Sequence, residues 1–137
     1  MKVNVDAFSY TFRKMLKEYT DDVTSKTLES VDEVSKEAKK IVKDHAPVRK
    51  KGKRKGTYKR SISVRTAYES LTEKRNVIYA SGEEYRLTHL LEKGHAKVGV
   101  SRNGKARVEA RPHWKYGDEY IKDELPKRVK KKIGGIK

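Results

Sequence analysis

The side chains best suited to chemistry fall in one short stretch, YRLTHLLEKGHA at residues 85–96, and at one position beyond it. The stretch carries His89, Glu92 and His95, and His113 lies beyond it; the other of the chain's 4 histidines is His45. Neutral imidazoles and a carboxylate are the donor set of a zinc site, often with two ligands one helical turn apart. His89 and Glu92 would share a helix face, whereas His95 lies beyond Gly94. The spacing H-x-x-E-x-x-H also differs from H-E-x-x-H, in which one helix presents both histidines at four-residue separation. Leu90 and Leu91 adjoin His89, so histidines that cap or hydrogen-bond within a core are the simpler expectation. We therefore expect neither a metal nor a cofactor.

Other chemistry fares no better. Glu83 and Glu84 are adjacent, so on a strand they would point to opposite faces and could not act as a concerted pair. No serine sits in a nucleophile-elbow pattern, and the glycines of SGEEYRL and GVSRNGKA lack phosphate-loop spacing. Zero cysteines exclude disulfides and thiolate chemistry and suit assembly in a reducing cytoplasm. The expectation is a protein that is not an enzyme.

Charge is the stronger signal. The chain carries +16 over 137 residues, yet residues 1–46 are balanced, with nine basic and nine acidic side chains. Most of the excess sits in two runs, RKKGKRKGTYKR (49–60) and KRVKKKIGGIK (127–137), neither of which contains an acidic residue. The first offers Arg49, Lys50, Lys51, Lys53, Arg54, Lys55, Lys59 and Arg60; the second offers Lys127, Arg128, Lys130, Lys131 and Lys132. Such runs imply an anionic partner. Phosphates would fit, with Tyr58 placed to stack and affinity falling with salt; so would an acidic protein surface or plain solvent. No recognition helix accompanies them, which argues against sequence-specific binding.

These side chains need elements to position them. From Phe8 the apolar residues Phe12, Met15, Tyr19, Val23, Leu28, Val31, Val34, Ala38 and Ile41, with His45, recur at helical steps. No Gly or Pro interrupts before Pro47. The spacing predicts one helix over 7–45, about 55 Å long. So long a helix outreaches the core of so small a domain and needs another subunit to cover its stripe. A basic, glycine-containing loop follows at 49–58. RSISVRTAY and KRNVIYASG alternate as two strands around a turn at ESLTE. Arg86–Lys93 reads as a short helix burying Leu87, Leu90 and Leu91, ended by Gly94 in a left-handed cap. GHAKVGVSRNGKARVEA reads as a second hairpin turning at Asn103-Gly104, which completes a sheet and short helix over 60–110. A last helix follows over 115–132, with Pro126 expected to kink or split it. The fold class is α+β: one domain, 1–137, with a long N-terminal helix and a C-terminal helix on a small, mainly antiparallel sheet and a short helix between strand pairs. No run approaches the roughly 18 apolar residues of a membrane span, and the polar start MKVNVDAFSYTF is no secretory signal.

Taken in order, three segments resemble a known family. KDHAPVRKKGKRKGTYKRSISV, residues 43–64, carries Pro47 into the basic loop. LTHLLEKGH, residues 87–95, carries Leu87, His89, Leu90, Leu91, Glu92, Gly94 and His95. RVEARPHW, residues 107–114, carries Pro112 and His113. The pattern is similar to the tailed-bacteriophage minor tail proteins of the gene-product-ten-like family, the head–tail joining or tail-completion proteins. That resemblance implies a structural virion protein, made in the bacterial host cytoplasm and compatible with a prophage origin. It would act at the phage neck as a homo-oligomeric ring, hexameric in the virion and able to be monomeric alone. Its neighbours would be tail tube or terminator and head-connector proteins, with non-specific DNA proximity and no membrane. The alternative is a non-specific nucleic-acid-binding protein that uses the basic loop and basic tail.

Overall fold

The computed structural model describes residues 5–96 and 107–136. Helix α1 spans Val5–His45 and ends where Pro47 bars a further helical residue before it. Lys43 and His45 lie in its last turn, where cations favour the negative end of the helix dipole. A one-turn helix α2 (Thr57–Ser61) leads into β1 (Ile62–Glu69), which pairs antiparallel with β2 (Lys74–Ala80). The register sets Ile62 opposite Ala80 and Glu69 opposite Lys74, with a bulge between Thr66 and Tyr68. The turn lacks an Asn-Gly pair because Ser70 closes it instead. The Ser70 hydroxyl accepts the Thr72 and Glu73 amides at 3.3 and 3.0 Å, and the Ser70 amide donates to the Glu73 carbonyl at 2.8 Å.

Next come a 3₁₀ segment (Gly82–Leu87), helix α3 (Thr88–Lys93), the two-residue strands β3 (His95–Ala96) and β4 (Arg107–Val108), and helix α4 (Trp114–Gly134). The architecture is α+β as expected, but the strands form two separate ladders, β1–β2 and β3–β4, rather than one sheet. The expected Asn103-Gly104 turn lies outside the described residues. Nor does Pro126 split the last helix: α4 is one element with Pro126 inside it. Its missing N–H removes a single backbone bond, and the residues beyond it are held to α1 by ion pairs described below.

The core lies on the C-terminal half of α1. Val34, Ala38, Val42 and Ala46 are buried at four-residue spacing; Val42 and Ala46 cluster with Tyr58, Ile62 and Ala80, and Ile78, Leu91 and Trp114 pack against that cluster. Val42, not Ile41, belongs to the deepest line, because a straight four-residue ridge suits packing against a second helix. That second helix is α4, and its Gly117 sits on the ridge. A Cβ at this position would stand 2.5 Å from Val42 Cγ2. Glycine therefore sets how near the two axes come.

Leu87 was expected in the core but is 40% exposed; the 3₁₀ geometry of its segment turns it away from the face that Leu91 buries. Gly94 does end α3, but at φ 75°, ψ 169° rather than in the left-handed helical cap. A Cβ there would meet the Val108 carbonyl at 2.6 Å, so close passage of β4 accounts for the glycine.

Gly117→Ala is expected to lower stability by about 1–3 kcal/mol through overpacking against stiff, β-branched Val42, despite alanine's better helix propensity. In chemical denaturation, adding Val42→Ala to that variant should recover part of the loss. Additive losses would show that the crossing is not set by this contact.

Candidate functional site

Two constellations stand out, one at the start of α4 and one along its length. At the start, Glu92 on α3 reaches the first turn of α4. Its Oε2 accepts the backbone amides of His113 at 2.8 Å and Trp114 at 3.2 Å, and its Oε1 accepts that of Lys115 at 3.3 Å. No capping side chain comes from α4 itself, so a residue 21 positions upstream supplies it, and its negative charge suits the positive end of the helix. His113 is fully buried. Its Nδ1 lies 2.9 Å from the Arg111 carbonyl, which can only accept, so the proton belongs on Nδ1. In the neutral ring, Nε2 then accepts the Tyr58 hydroxyl proton at 2.7 Å, and the phenol oxygen accepts from Trp114 Nε1 at 3.1 Å. Burial holds the Tyr58 phenol above its ordinary pKa, keeping it a donor.

Glu92 and His113 are thereby brought together, with Tyr58 as the member that sequence reasoning placed elsewhere. Tyr58 is buried under α4 and cannot stack on a base as its place in the basic run suggested. His89 is exposed on α3, and no hydrogen bond to it occurs among the described residues. For the hydrogen-bonding role expected of His95, its buried Nδ1 has no partner among the described residues. His95 sits at the start of a two-residue ladder, and residues 97–106 lie outside the described part. Among the described residues no group of three or more His, Cys, Asp or Glu could hold a metal ion.

The second constellation is a comb of charges. Arg128 donates to Glu37 through Nη1 and Nη2, both at 2.9 Å, and to Glu124 at 2.9 Å, with Glu33 at 3.4 Å. Lys132 reaches Glu33 at 2.6 Å and Glu29 at 3.3 Å. The Tyr120 hydroxyl donates to Glu37. Each partner moves the others: Lys132 holds the Glu33 carboxyl below its ordinary range, Arg128 and Tyr120 do the same for Glu37, and the Glu37 and Glu124 carboxylates push Arg128 further up. On the other side of α1, Asp32 accepts Lys74 at 2.6 Å and Asn76 at 2.9 Å and is lowered by Lys74, which ties the hairpin to the helix.

This changes the picture of the basic tail. Residues 127–134 are the last turns of α4, not a free tail. Arg128 and Lys132 face α1, while Lys130 and Lys131 are exposed and Lys127 pairs with Asp123 at 3.1 Å. The signal existed in the sequence: Glu29, Glu33 and Glu37 are four apart, as are Glu124, Arg128 and Lys132. The loop is different. It ends at Gly56 rather than at residue 58, because α2 takes up Tyr58, Lys59 and Arg60. Arg54 pairs with buried Glu84 at 3.2 Å and lies 3.9 Å from Glu83. Arg49, Lys50, Lys51, Lys53, Lys55, Lys59 and Arg60 have no ion-pair partner among the described residues, and all but Lys59 are exposed.

From residue 10 the amino-terminal half of α1 is open to solvent. Met15 is 63% exposed, Leu16 48% and Tyr19 54%, and residues 10–22 are exposed throughout. Among the described residues no helix is long and apolar enough to cross a membrane.

A family model described as "Bacteriophage HK97-gp10, putative tail-component" matches residues 11–94, from this bare segment to the glycine after α3. The chain belongs to this HK97-gp10-like family. It is a bacteriophage tail component of structural type. No curated protein and no solved structure matches it. Within the family match lie Pro47, the basic loop and Leu87 to Gly94; His95, Pro112, His113 and the whole of α4 lie beyond its end. Glu92 is thus a family-region residue whose ligands are the backbone amides of a helix outside that region.

Two outcomes follow for this tail component. Glu92→Ala, which leaves three amides of α4 uncapped, should cost about 1–2 kcal/mol in a denaturation experiment, with Glu92→Gln milder. Because the pKa values of Glu33, Glu37 and Asp32 are depressed, their contribution to stability is complete above the ordinary carboxylate pKa of about 4. It is lost as pH falls below that range through the folded-state values. Urea midpoints should therefore hold from neutral to weakly acid pH and then drop, and Arg128→Ala should flatten the drop.

Proposed function

We propose that this tail component works at the phage neck, joining or completing the tail at the head–tail interface. It would do so as a ring of its own copies in contact with tail and head-connector proteins. The observation that carries this reading is the uncovered amino-terminal half of α1. A helix that continues for several turns beyond its own fold, with Leu16 and Tyr19 about half exposed, offers apolar surface that water disfavours. A ring supplies that cover without a further gene product, since a head-to-tail contact repeated around an axis closes on itself. The helix contributes by docking, and nothing in this role needs catalysis.

A second reading, sequence-independent contact with nucleic acid, draws on the loop cations that have no intramolecular partner. Residues 49–56 contain no apolar or aromatic side chain, and burial of Tyr58 removes the stacking group. What is left is phosphate neutralisation alone.

Particles lacking the protein should be non-infectious, with unattached heads and tails visible by electron microscopy, and labelled protein should localise to the neck. Whole, infectious particles without it would overturn the first reading. Replacing Lys50, Lys51, Lys53 and Lys55 by Gln should change unfolding stability by less than about 0.5 kcal/mol. If the same variant also loses a salt-dependent shift of double-stranded DNA shown by the natural chain, the loop's partner is nucleic acid.

A further inference from the structure

We infer that the bare half of α1 packs parallel and side by side with the same segment of the next copy, the basic flank of one helix against the acidic flank of its neighbour. The inference rests on the ring reading and names the surface that would build it. Phe12, Leu16, Tyr19 and Val23 follow steps of four, three and four, which aligns them as one seam along a helix. Phe12 is 56% exposed and Val23 half-buried. Counted at about 100° per residue, the seam runs on into the line of Ser30 and Val34, which the chain's own core buries. The face is thus continuous, covered at one end and open at the other.

The charges beside the seam identify the occupant. By the same count, Arg13 and Lys17 lie on one side of it, about 90° and 130° from its centre. Asp22 and Glu18 lie at about the same angles on the other side. All four are exposed, and none has an ion-pair partner among the described residues. In an isolated pair of helices, side chains about 130° from the seam point away from the partner and contribute little. A helix held between two neighbours meets one with each flank, so charges at these angles lie where a ring requires them.

Orientation follows from sign. An antiparallel two-fold pair would bring each flank against its own copy, Lys17 beside Lys17, and like charges repel. Parallel helices at equal height place Lys17 of one copy about 1.5 Å along the axis from the level of Glu18 of the next, and Arg13 about 7.5 Å from that level. The contact is non-reciprocal, the kind that propagates from copy to copy and closes as a ring.

The chain has no cysteine, so single cysteines report the geometry directly. Lys17→Cys and Glu18→Cys are made separately, and each is oxidised alone and in mixture, in the soluble oligomer or in purified tails. The expected result is a disulfide-linked dimer only from the mixture, and a ladder of multimers from the double variant. Strong cross-linking of Lys17→Cys alone would establish the antiparallel pair and overturn the inference. Absence of any cross-link would overturn it too and assign the face to a different protein. Charge reversal gives a second readout that spares the apolar seam. Arg13→Glu with Lys17→Glu on one chain, and Glu18→Lys with Asp22→Lys on another, should each sediment as monomers with unchanged helical circular dichroism. An equimolar mixture should reassemble, and a mixture that stays monomeric counts against complementary flanks. Tails that contain the chain without the cross-link refute this inference alone, whereas tails without the chain refute the reading beneath it.

Discussion

A helix of 41 residues is about 60 Å long, and from residue 9 onward the buried positions of this one begin only at Ser30. That mismatch between the length of α1 and the chain available to cover it governs the molecule. The hairpin, α3 and α4 all crowd onto the carboxyl-terminal half, where Val34, Ala38 and Val42 form a ridge narrow enough for a helix bearing glycine at the crossing. Past the end of α4 the helix carries the same apolar face into solvent.

Charge divides the surface into two kinds. Along α4, Arg128 and Lys132 are committed inward, between carboxylates spaced at one helical turn, so that a run that looks like a tail is structural. In the loop between α1 and α2, Arg54 is the one cation paired among the described residues, to Glu84 and its neighbour. Two stretches of similar composition thus differ in what they leave available. The deciding factor is whether a row of glutamates lies within reach, which composition does not encode.

The sequence made the main elements legible because their signals are local. The stripe on α1 and its stop at Pro47, the alternation in the two strands, and Gly94 after LTHLLEK each follow from a few adjacent residues. What it hid depends on chain segments far apart. Tyr58 belongs to a basic run by position and to the core by contact, since His113 and Trp114 come from more than 50 residues away. The exposure of Leu87 follows from a 3₁₀ turn that periodicity cannot separate from an α-helix of the same length. Pro126 was misleading for a similar reason: local chemistry predicts a break, and Arg128 and Lys132 hold the far half against α1 regardless. Of the candidate site histidines His89, His95 and His113, only His113 has hydrogen-bond partners for both ring nitrogens among the described residues, and nothing in its immediate neighbours announced it.

Glu92 holds α4 by its backbone amides, and amides are the same in every sequence. The grip therefore asks almost nothing of which residues make up that helix. The demands that remain are of two kinds: a small residue where Gly117 crosses Val42, and side chains that reach the core and α1, which here are Trp114, Tyr120 and the spaced cations. Helices of quite different sequence could satisfy both. The closing helix is in this sense a strut that lies beyond the end of the family match and is clasped from within it.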